Sequence, residues 1–297
     1  MTDFPIYSPV EQIFDPLFTE KEVEVFVKRD DMIHPFISGN KWRKLKYILA
    51  NAEKLNKKHL VTFGGAFSNH LLATACAGAK FRFQTTGVVR GEEVENEVLI
   101  LCRLFGMRLL FTDRLSYRDK ISFFTEHFQN DKEAIFIDEG GAGELGVKGC
   151  SELLSELLQP YDHIFCAAGT GTTAAGIIKS IDAKAALSVH VIPVLKGGSF
   201  IATEIEKYTA NSFQLHLEYH FGGYAKTTPK LLSFIRSFCK STGILIEPVY
   251  TGKMFFALYD LIKNDSFSPG SKILAIHTGG LTGILGMSSK LKINSGI

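Results

Sequence analysis

The amino-acid sequence predicts an α/β protein with mainly parallel sheets flanked by helices, and three observations support this. Short apolar runs alternate with helical patterns, as in proteins built from strand–helix–strand units. The 297 residues suffice for one large or two modest domains. Most glycine-rich segments follow directly on a predicted strand, at Gly64-Gly65, Gly140-Gly141, Gly169–Gly171 and Gly279-Gly280. Because ligands of open α/β sheets bind at the carboxyl ends of the strands, these turns predict one shared site.

The predicted strands are short apolar runs bounded by turn residues. They are Glu24–Lys28, His59–Phe63, Gln84–Val89, Arg108–Phe111, Ala134–Ile137, His163–Ala167, Ser188–Val194, Leu215–Tyr219 and Lys272–His277. The predicted helices carry apolar residues at helical spacing. They include Lys41–Leu55, Leu71–Gly78, Glu95–Phe105, Gly149–Leu158, Pro229–Thr242 and Met254–Lys263.

Composition and charge exclude several classes of protein. A net charge of +2 gives no reason to expect a nucleic acid or an anionic membrane as partner. No apolar stretch approaches the roughly 20 residues that span a bilayer, and the amino terminus lacks the charged-then-apolar order of a signal peptide. The five cysteines form no CxxC pair, so neither a disulfide framework nor a metal site is expected. We therefore expect a cytoplasmic protein with reduced cysteines.

The first segment that could carry chemistry is Ser-Gly-Asn-Lys-Trp-Arg-Lys-Leu at residues 38–45. Ser38 or Asn40 is expected to cap a helix whose buried side begins at Trp42. Lys41 and Lys44 then lie three residues apart on one face of its first turns. Two cations in this position oppose the helix dipole, and a buried anion such as a phosphate would reverse that cost. Alone, the pattern is more typical of an exposed basic helix start.

Two further segments place polar groups between a strand and a helix. Ser68-Asn69-His70, after Gly64-Gly65, offers groups that can bind a carboxylate or a ring oxygen. Residues 167–176, Ala-Ala-Gly-Thr-Gly-Thr-Thr-Ala-Ala-Gly, offer backbone N–H groups and hydroxyls that can cradle an anion. They also fit a dinucleotide fingerprint, but no acidic residue closes the next strand, and a GxxxxGK[ST] loop is absent. A single phosphate is therefore the expected ligand.

Three other segments are weaker signals. Val-Tyr-Thr-Gly-Lys at 249–253 and His-Thr-Gly-Gly at 277–280 are each, in isolation, typical of structural turns. His216-Leu-Glu218-Tyr-His220 has the spacing of a zinc deaminase but lacks the following Pro-Cys-x-x-Cys. Its alternating pattern predicts a half-exposed strand instead.

Taken in this order, the segments resemble the aminocyclopropane-carboxylate deaminase/D-cysteine desulfhydrase family. These are pyridoxal 5'-phosphate enzymes with the tryptophan-synthase-β-like fold (fold type II). The resemblance runs from about Val27 to the carboxyl terminus. Its specific motifs are residues 38–45, Ser68-Asn69-His70, and Glu139-Gly140-Gly141 followed by Gly146 and Gly149. It implies a small amino acid as substrate, a homodimer, a smaller domain at residues 46–152, and a larger domain at 1–45 and 153–297.

The resemblance also implies roles for individual residues. Lys41 would bind the cofactor covalently as a Schiff base, and Asn69 would contact the ring hydroxyl. The phosphate would be bound by Lys44 and by the loop Gly169, Thr170, Gly171, Thr172 and Thr173. Ser68, Asn69, His70 and Tyr224 would contact the substrate, with Ser68 and His70 at its carboxylate. Lys41, Ser68, Tyr224 and Tyr250 would take part in catalysis, and Thr251 would lie against the pyridine nitrogen.

Thr251 and Thr278 favour one of the family's two activities. The resemblance implies that deaminases carry Glu and Leu at these positions, whereas desulfhydrases carry hydroxyl residues. A neutral hydroxyl can donate to an unprotonated ring nitrogen. This makes a weaker electron sink, sufficient for β-elimination but poor for ring-opening. The expected reaction is therefore the D-cysteine desulfhydrase type. The alternatives are aminocyclopropane-carboxylate deaminase and a cofactor-binding protein without turnover.

Overall fold

The computed structural model describes residues 4–182 and 186–287, and ten strands and ten α-helices lie within these residues. The strands are β1 (Val10–Ile13), β2 (Glu24–Lys28), β3 (His59–Gly65), β4 (Gln84–Arg90), β5 (Arg108–Thr112), β6 (Ala134–Ile137), β7 (His163–Ala168), β8 (Ser188–Pro193), β9 (Gln214–Leu215) and β10 (Lys272–Ile276). The helices are α1 (Pro16–Glu20), α2 (Asn40–Lys54), α3 (Asn69–Phe81), α4 (Glu97–Leu104), α5 (Lys120–Phe128), α6 (Glu144–Ser151), α7 (Thr172–Lys179), α8 (Phe200–Glu206), α9 (Pro229–Thr242) and α10 (Thr251–Lys263).

The first sheet has six strands in the order β1-β2-β10-β7-β8-β9. β1 runs antiparallel to β2, and the other neighbouring pairs are parallel. Helices α9 and α10 cover one face with a hydrophobic cluster, and α7 and α8 cover the other. The central strands are continuous apolar runs because neither of their faces contacts water.

The second sheet has four parallel strands in the order β5-β4-β3-β6. Trp42 and Leu45 of α2 are fully buried in one cluster with Leu60 of β3, which confirms the predicted buried side of that helix. Two parallel sheets flanked by helices confirm the predicted fold class. The second sheet lies within residues 46–152 and the first sheet outside them, while the domain boundaries themselves stay a prediction.

Helices α2, α6 and α7 pack against one another at glycines. A Cβ on Gly149 of α6 would lie 1.8 Å from the carbonyl oxygen of Arg43 in α2. A Cβ on Gly176 of α7 would lie 2.6 Å from the carbonyl oxygen of Val147 in α6. Backbone atoms occupy the space that any side chain would need. This close packing brings the first turns of α2 beside the loop that precedes α7.

Two predicted elements are wrong in extent. The helix predicted at Gly149–Leu158 spans Glu144–Ser151 instead, and a 3-10 turn follows at Leu153–Glu156. Glycine disfavours a helix by about 1 kcal/mol, and here tertiary packing outweighs that preference. The strand predicted at Leu215–Tyr219 ends at Leu215. The hydroxyl of buried Tyr219 donates to Asp260 Oδ2 at 3.0 Å, which holds the chain away from the sheet edge.

The predicted side-chain cap of α2 is also wrong. The N-cap residue is Gly39, with φ +59° and no side-chain hydrogen bond, and the N–H of Asn40 donates to the carbonyl oxygen of Thr278 at 3.2 Å. A Cβ on Gly39 would lie 2.0 Å from that oxygen. The Asn40 side chain instead donates to Thr173 Oγ1 at 3.0 Å. The first N–H group of this helix is therefore bound by a backbone carbonyl oxygen that follows β10, and not by a side chain.

Within residues 4–182 and 186–287, the structure contains no helix with the length and apolar character that crossing a membrane would require.

We predict that Gly149→Ala lowers the free energy of unfolding by about 2–3 kcal/mol, because the new methyl group overlaps the Arg43 carbonyl and must separate α2 from α6. Chemical denaturation monitored by circular dichroism measures the change. Glu144→Ala, an exposed position on the same helix, is the matched control and should change stability by less than about 0.5 kcal/mol. Equal stability of Gly149→Ala and the control would contradict the close packing.

Candidate active site

Two lysine amines lie in the first turns of α2. Lys44 is 2% exposed, and its amine donates to the carbonyl oxygen of Gly140 at 3.0 Å. The Lys41 amine has no hydrogen bond or ion pair with any of the described residues. Burial and the neighbouring charge of Lys44 lower the pKa of Lys41 to about 7. Lys41 is therefore partly unprotonated near neutral pH, the form in which an amine reacts with an aldehyde.

A small pocket lies over Lys41. Its lining includes Ser38 from the segment before α2, Asn69 from the start of α3, and Gly280 and Thr282 after β10. The side-chain oxygen of Asn69 accepts from the Thr282 hydroxyl at 2.7 Å. Its amide nitrogen points towards Gly280, where a Cβ would lie 2.8 Å away. Asn69 thus has an amide donor in the pocket that Lys41 also lines.

The loop from Gly169 to Thr173 joins β7 to α7 on the other side of Lys44. Gly171 has φ +78° and begins α7 without a side-chain cap, so the first N–H groups of the helix remain available as donors. The Thr170 and Thr172 hydroxyls lie 3.1 Å apart. Gly140, whose carbonyl oxygen accepts from the Lys44 amine, lies against this loop, because a Cβ on Gly140 would be 3.3 Å from the Thr170 side chain. The loop and the amine therefore face the same small space.

This donor set fits a phosphate group. The Lys41 and Lys44 amines have no carboxylate within ion-pair distance among residues 4–182 and 186–287, so the site carries an uncompensated positive charge. Helix N–H groups and hydroxyls complete an anion cradle. Burial lowers the pKa of Lys44, and a bound phosphate dianion would favour its charged form again.

The two ring nitrogens of His70 have different roles, with Nε2 as a donor and Nδ1 as an acceptor without a partner within the described part of the chain. The Thr62 hydroxyl donates to the carbonyl oxygen of Ile137 at 3.0 Å, so His70 Nε2, 2.8 Å from the same hydroxyl, must be the donor of their bond. Nδ1 then carries a lone pair and is buried without a partner in the described structure. Burial and the charges of Lys41 and Lys44 hold the pKa of His70 well below its usual value. The contact of His70 with a substrate carboxylate stays a prediction.

Ser68 keeps a free donor. Its Oγ caps α3 by accepting from the N–H groups of His70 and Leu71, at 3.2 and 3.3 Å. The hydroxyl proton is not used by these bonds and can be given to an anion at the helix N-terminus.

Tyr224 and Tyr250 lie together beside the loop that begins at Gly169. The hydroxyl of Tyr250 is 3.4 Å from that of Tyr224, and their rings meet edge to face. A Cβ on Gly169 would lie 3.1 Å from the Tyr250 ring, and Tyr224 is 45% exposed at the rim. Burial raises the pKa of Tyr250 well above its usual value, so its hydroxyl stays protonated.

Glu247 is a buried carboxylate that sequence reasoning missed. It is 0% exposed and accepts from the N–H groups of Val249, Tyr250 and Thr251 at 2.6–2.7 Å, where α10 begins. The Thr251 hydroxyl accepts from the N–H of Glu247 at 3.0 Å and donates to Glu247 Oε1 at 3.3 Å. Burial raises the pKa of Glu247, and the backbone donors oppose that shift. The sequence signal that could have found it is an acidic residue, Glu247, shortly before the predicted start of a helix.

Comparison with known proteins agrees with this geometry. Residues 9–279 match the family model described as "Pyridoxal-phosphate dependent enzyme". The chain belongs to this family. Its relatives include a putative 1-aminocyclopropane-1-carboxylate deaminase of Pyrococcus abyssi, 31% identical over 96% of this chain and 92% of the relative. A bifunctional D-cysteine desulfhydrase/1-aminocyclopropane-1-carboxylate deaminase of Arabidopsis thaliana is 28% identical over 88% of this chain and 73% of the relative.

The crystal structure of an ACC deaminase homologue superimposes with a TM-score of 0.85, at 28% identity, over 97% of this chain and 93% of that one. Membership of the family and this likeness confirm fold type II and pyridoxal phosphate as the cofactor. The protein is a pyridoxal-phosphate-dependent lyase of the deaminase/desulfhydrase group. The roles of the individual site residues stay predictions.

We predict that Lys41→Ala abolishes turnover and the visible absorbance of bound cofactor, because the Lys41 amine lines the pocket and has no hydrogen-bond or ion-pair partner among the described residues. Borohydride reduction of the wild type followed by peptide mass spectrometry should find the cofactor on Lys41. Lys54→Ala, an exposed position on the same helix, should keep both properties. Label on another lysine, or a Lys41→Ala variant that stays yellow and active, would contradict the assignment.

We predict that Lys44→Ala weakens cofactor binding by about 1.5–3 kcal/mol, because it removes a charge-assisted contact with the phosphate. Thr170→Val should cause a smaller loss in the same direction. Titration of the apo-protein with pyridoxal phosphate measures the dissociation constants. Unchanged cofactor affinity with a sharp fall in turnover of the saturated variant would show that Lys44 acts on the chemical step instead.

Proposed function

We propose that the protein is a D-cysteine desulfhydrase, which converts the amino acid and one water to pyruvate, ammonia and sulfide. The observation that carries this proposal is the neutral hydroxyl of buried Thr251 at the start of α10, together with Thr278 near the amino terminus of α2. In the family that the chain resembles, hydroxyl residues at both positions accompany the desulfhydrase activity.

Lys41 is the proposed base. When bound, pyridoxal phosphate would supply an electron sink for the α-carbon of the substrate. The amine of Lys41 would take the α-proton at Nζ. With a pKa near 7 it is unprotonated often enough to accept that proton and acidic enough to release it later.

The substrate carboxylate would be bound at the amino terminus of α3. Ser68 donates its hydroxyl proton, and the helix dipole favours an anion there. His70 is expected to orient this turn through Thr62, because Nε2 donates to that hydroxyl.

The tyrosine pair would serve the leaving group. Tyr250 remains protonated, so the pair can donate a hydrogen bond to the departing sulfur at the open rim. Release of a good leaving group limits the lifetime of negative charge at the α-carbon. A strong electron sink at the ring nitrogen is therefore not required.

The alternative activity, aminocyclopropane-carboxylate deaminase, is favoured by one observation. The Thr251 hydroxyl donates to Glu247 Oε1 at 3.3 Å. With its proton directed at Glu247, the oxygen presents a lone pair that can accept from a protonated ring nitrogen. The carboxylate would then support the stronger electron sink that ring-opening needs. The two activities thus differ in the acceptor of the Thr251 hydroxyl proton, which is the ring nitrogen for the desulfhydrase and Glu247 for the deaminase.

The proposal includes a homodimer in the cytoplasm with a small amino acid as substrate. Light scattering of the purified holoenzyme measures the stoichiometry, and a monomer would remove that part of the proposal.

We predict that the wild type releases sulfide and pyruvate from D-cysteine and forms little 2-oxobutyrate from aminocyclopropane-carboxylate. Thr251→Glu should shift the balance towards 2-oxobutyrate, most clearly when Thr278→Leu is also present, because a carboxylate would keep the ring nitrogen protonated. Thr251→Ser retains the hydroxyl and is the matched control. Product assays on all four proteins measure the outcome, with thermal unfolding recorded because the new carboxylate faces Glu247.

Efficient 2-oxobutyrate formation by the wild type would establish the deaminase alternative. A yellow protein that releases no product from either amino acid would instead be a cofactor-binding protein without turnover.

A further inference from the structure

Lys253, on the first turn of α10, is a buried cation that the proposed reaction does not use. It is 0% exposed, yet its amine donates three hydrogen bonds, all to backbone carbonyl oxygens. The acceptors are Gly223 at 2.7 Å, His220 at 2.9 Å and Val194 at 3.2 Å. An ammonium group has three donors, so these carbonyls satisfy it completely.

Two of the three acceptors belong to the loop that carries Tyr224. In this loop Phe221, Gly222, Gly223 and Ala225 all have positive φ, at +51°, +94°, +120° and +54°. Positive φ is unfavourable for phenylalanine and alanine, and such conformations persist only where surrounding contacts enforce them. Local backbone preference therefore does not explain the conformation of this loop.

The position of Lys253 is costly for the helix. A buried cation at a helix amino terminus opposes the helix dipole and loses its hydration. Burial lowers the pKa of Lys253 to about 8, although the charge of Glu247 acts in the opposite direction. An apolar side chain would fill this space without that cost, so the amine contributes what an apolar group cannot, namely donors for the loop carbonyls.

We propose that Lys253 is a positioning residue, whose ammonium group gathers the carbonyls of His220, Gly223 and Val194 and so holds Tyr224 against Tyr250. This goes beyond the proposed function and rests on it only for the catalytic use of Tyr224. We call these three hydrogen bonds of Lys253 the clamp. They connect α10, the end of β8 and the loop that carries Tyr224. The 3.4 Å separation of the two tyrosine hydroxyls is then a consequence of the clamp.

Hydrogen exchange of the holoenzyme tests the clamp without reference to activity. Lys253→Met keeps the length of the side chain and removes its donors. The peptide that contains the amides of Gly223 and Lys226, which donate to His220 and Gly223, should exchange at least about tenfold faster, whereas β7 should not change. The control is Lys263→Met, which removes an exposed lysine of the same helix. Unchanged loop exchange, or equal acceleration in both variants, would overturn the proposal.

Kinetics then test whether the clamp acts through Tyr224. With D-cysteine, Lys253→Met should lower kcat by about 10- to 100-fold, as expected for a misplaced catalytic group, and leave the cofactor dissociation constant unchanged. In a Tyr224→Phe background the same change should cost less than about threefold, because residues that act as a unit are not additive. The same fold-loss in both backgrounds would overturn a role through Tyr224.

If Tyr224→Phe itself has wild-type kcat, the catalytic assignment of Tyr224 fails, and hydrogen exchange still decides whether Lys253 holds the loop. If the loop exchanges faster in Lys253→Met and kcat is unchanged, the positioning role is overturned.

Discussion

The buried ion pair between Arg43 and Asp30 is the interaction on which the site depends. Arg43 is 2% exposed and bonds to both oxygens of Asp30, which follows β2, at 2.5 and 2.7 Å. It also bonds to Glu156 at 2.8 and 2.9 Å, and Lys28 reaches Glu156 at 2.9 Å. Burial acts to raise the pKa of Glu156, but these cations outweigh it and lower the pKa to about 2. The four charges balance, so removing one would leave an uncompensated buried charge.

This ion pair fixes the position of α2 between the two sheets. Arg43 attaches the helix to the first sheet, while Trp42 and Leu45 pack against the second. The lysine amines of its first turns therefore lie where loops from both sheets converge. Gly149 allows α6 to pack closely against α2, and Gly176 allows α7 to pack closely against α6. The loop before α7, with its free N–H groups, therefore lies beside Lys44. A rigid scaffold thus positions a site made largely of loop and helix-end groups.

The site combines surplus positive charge with groups kept neutral by burial. Burial and the charge of Lys44 lower the pKa of Lys41, and burial together with both lysine charges lowers the pKa of His70. Within residues 4–182 and 186–287 no carboxylate lies within ion-pair distance of either lysine amine. A phosphate supplies the missing negative charge, so cofactor binding and the protonation of the lysines are coupled. Glu247 instead lies among backbone N–H groups at the start of α10. The phosphate end and the proposed ring-nitrogen end of the site therefore differ in electrostatic character.

The sequence by itself determined the alternation of strands and helices, the buried side of α2, the family and its cofactor, because apolar periodicity and short motifs are local properties of the chain. Only the tertiary structure decided the extent of α6, where packing against α2 and α7 overrides the low helix propensity of glycine. The same holds for the cap of α2, the lone pair of His70, the carboxylate behind Thr251 and the clamp at Lys253. Each depends on a donor or acceptor from a distant part of the chain, such as Thr278, Ile137 or Val194. A one-dimensional pattern contains side-chain types but no partners, and it is the partner that decides whether a buried polar group donates, accepts or remains free.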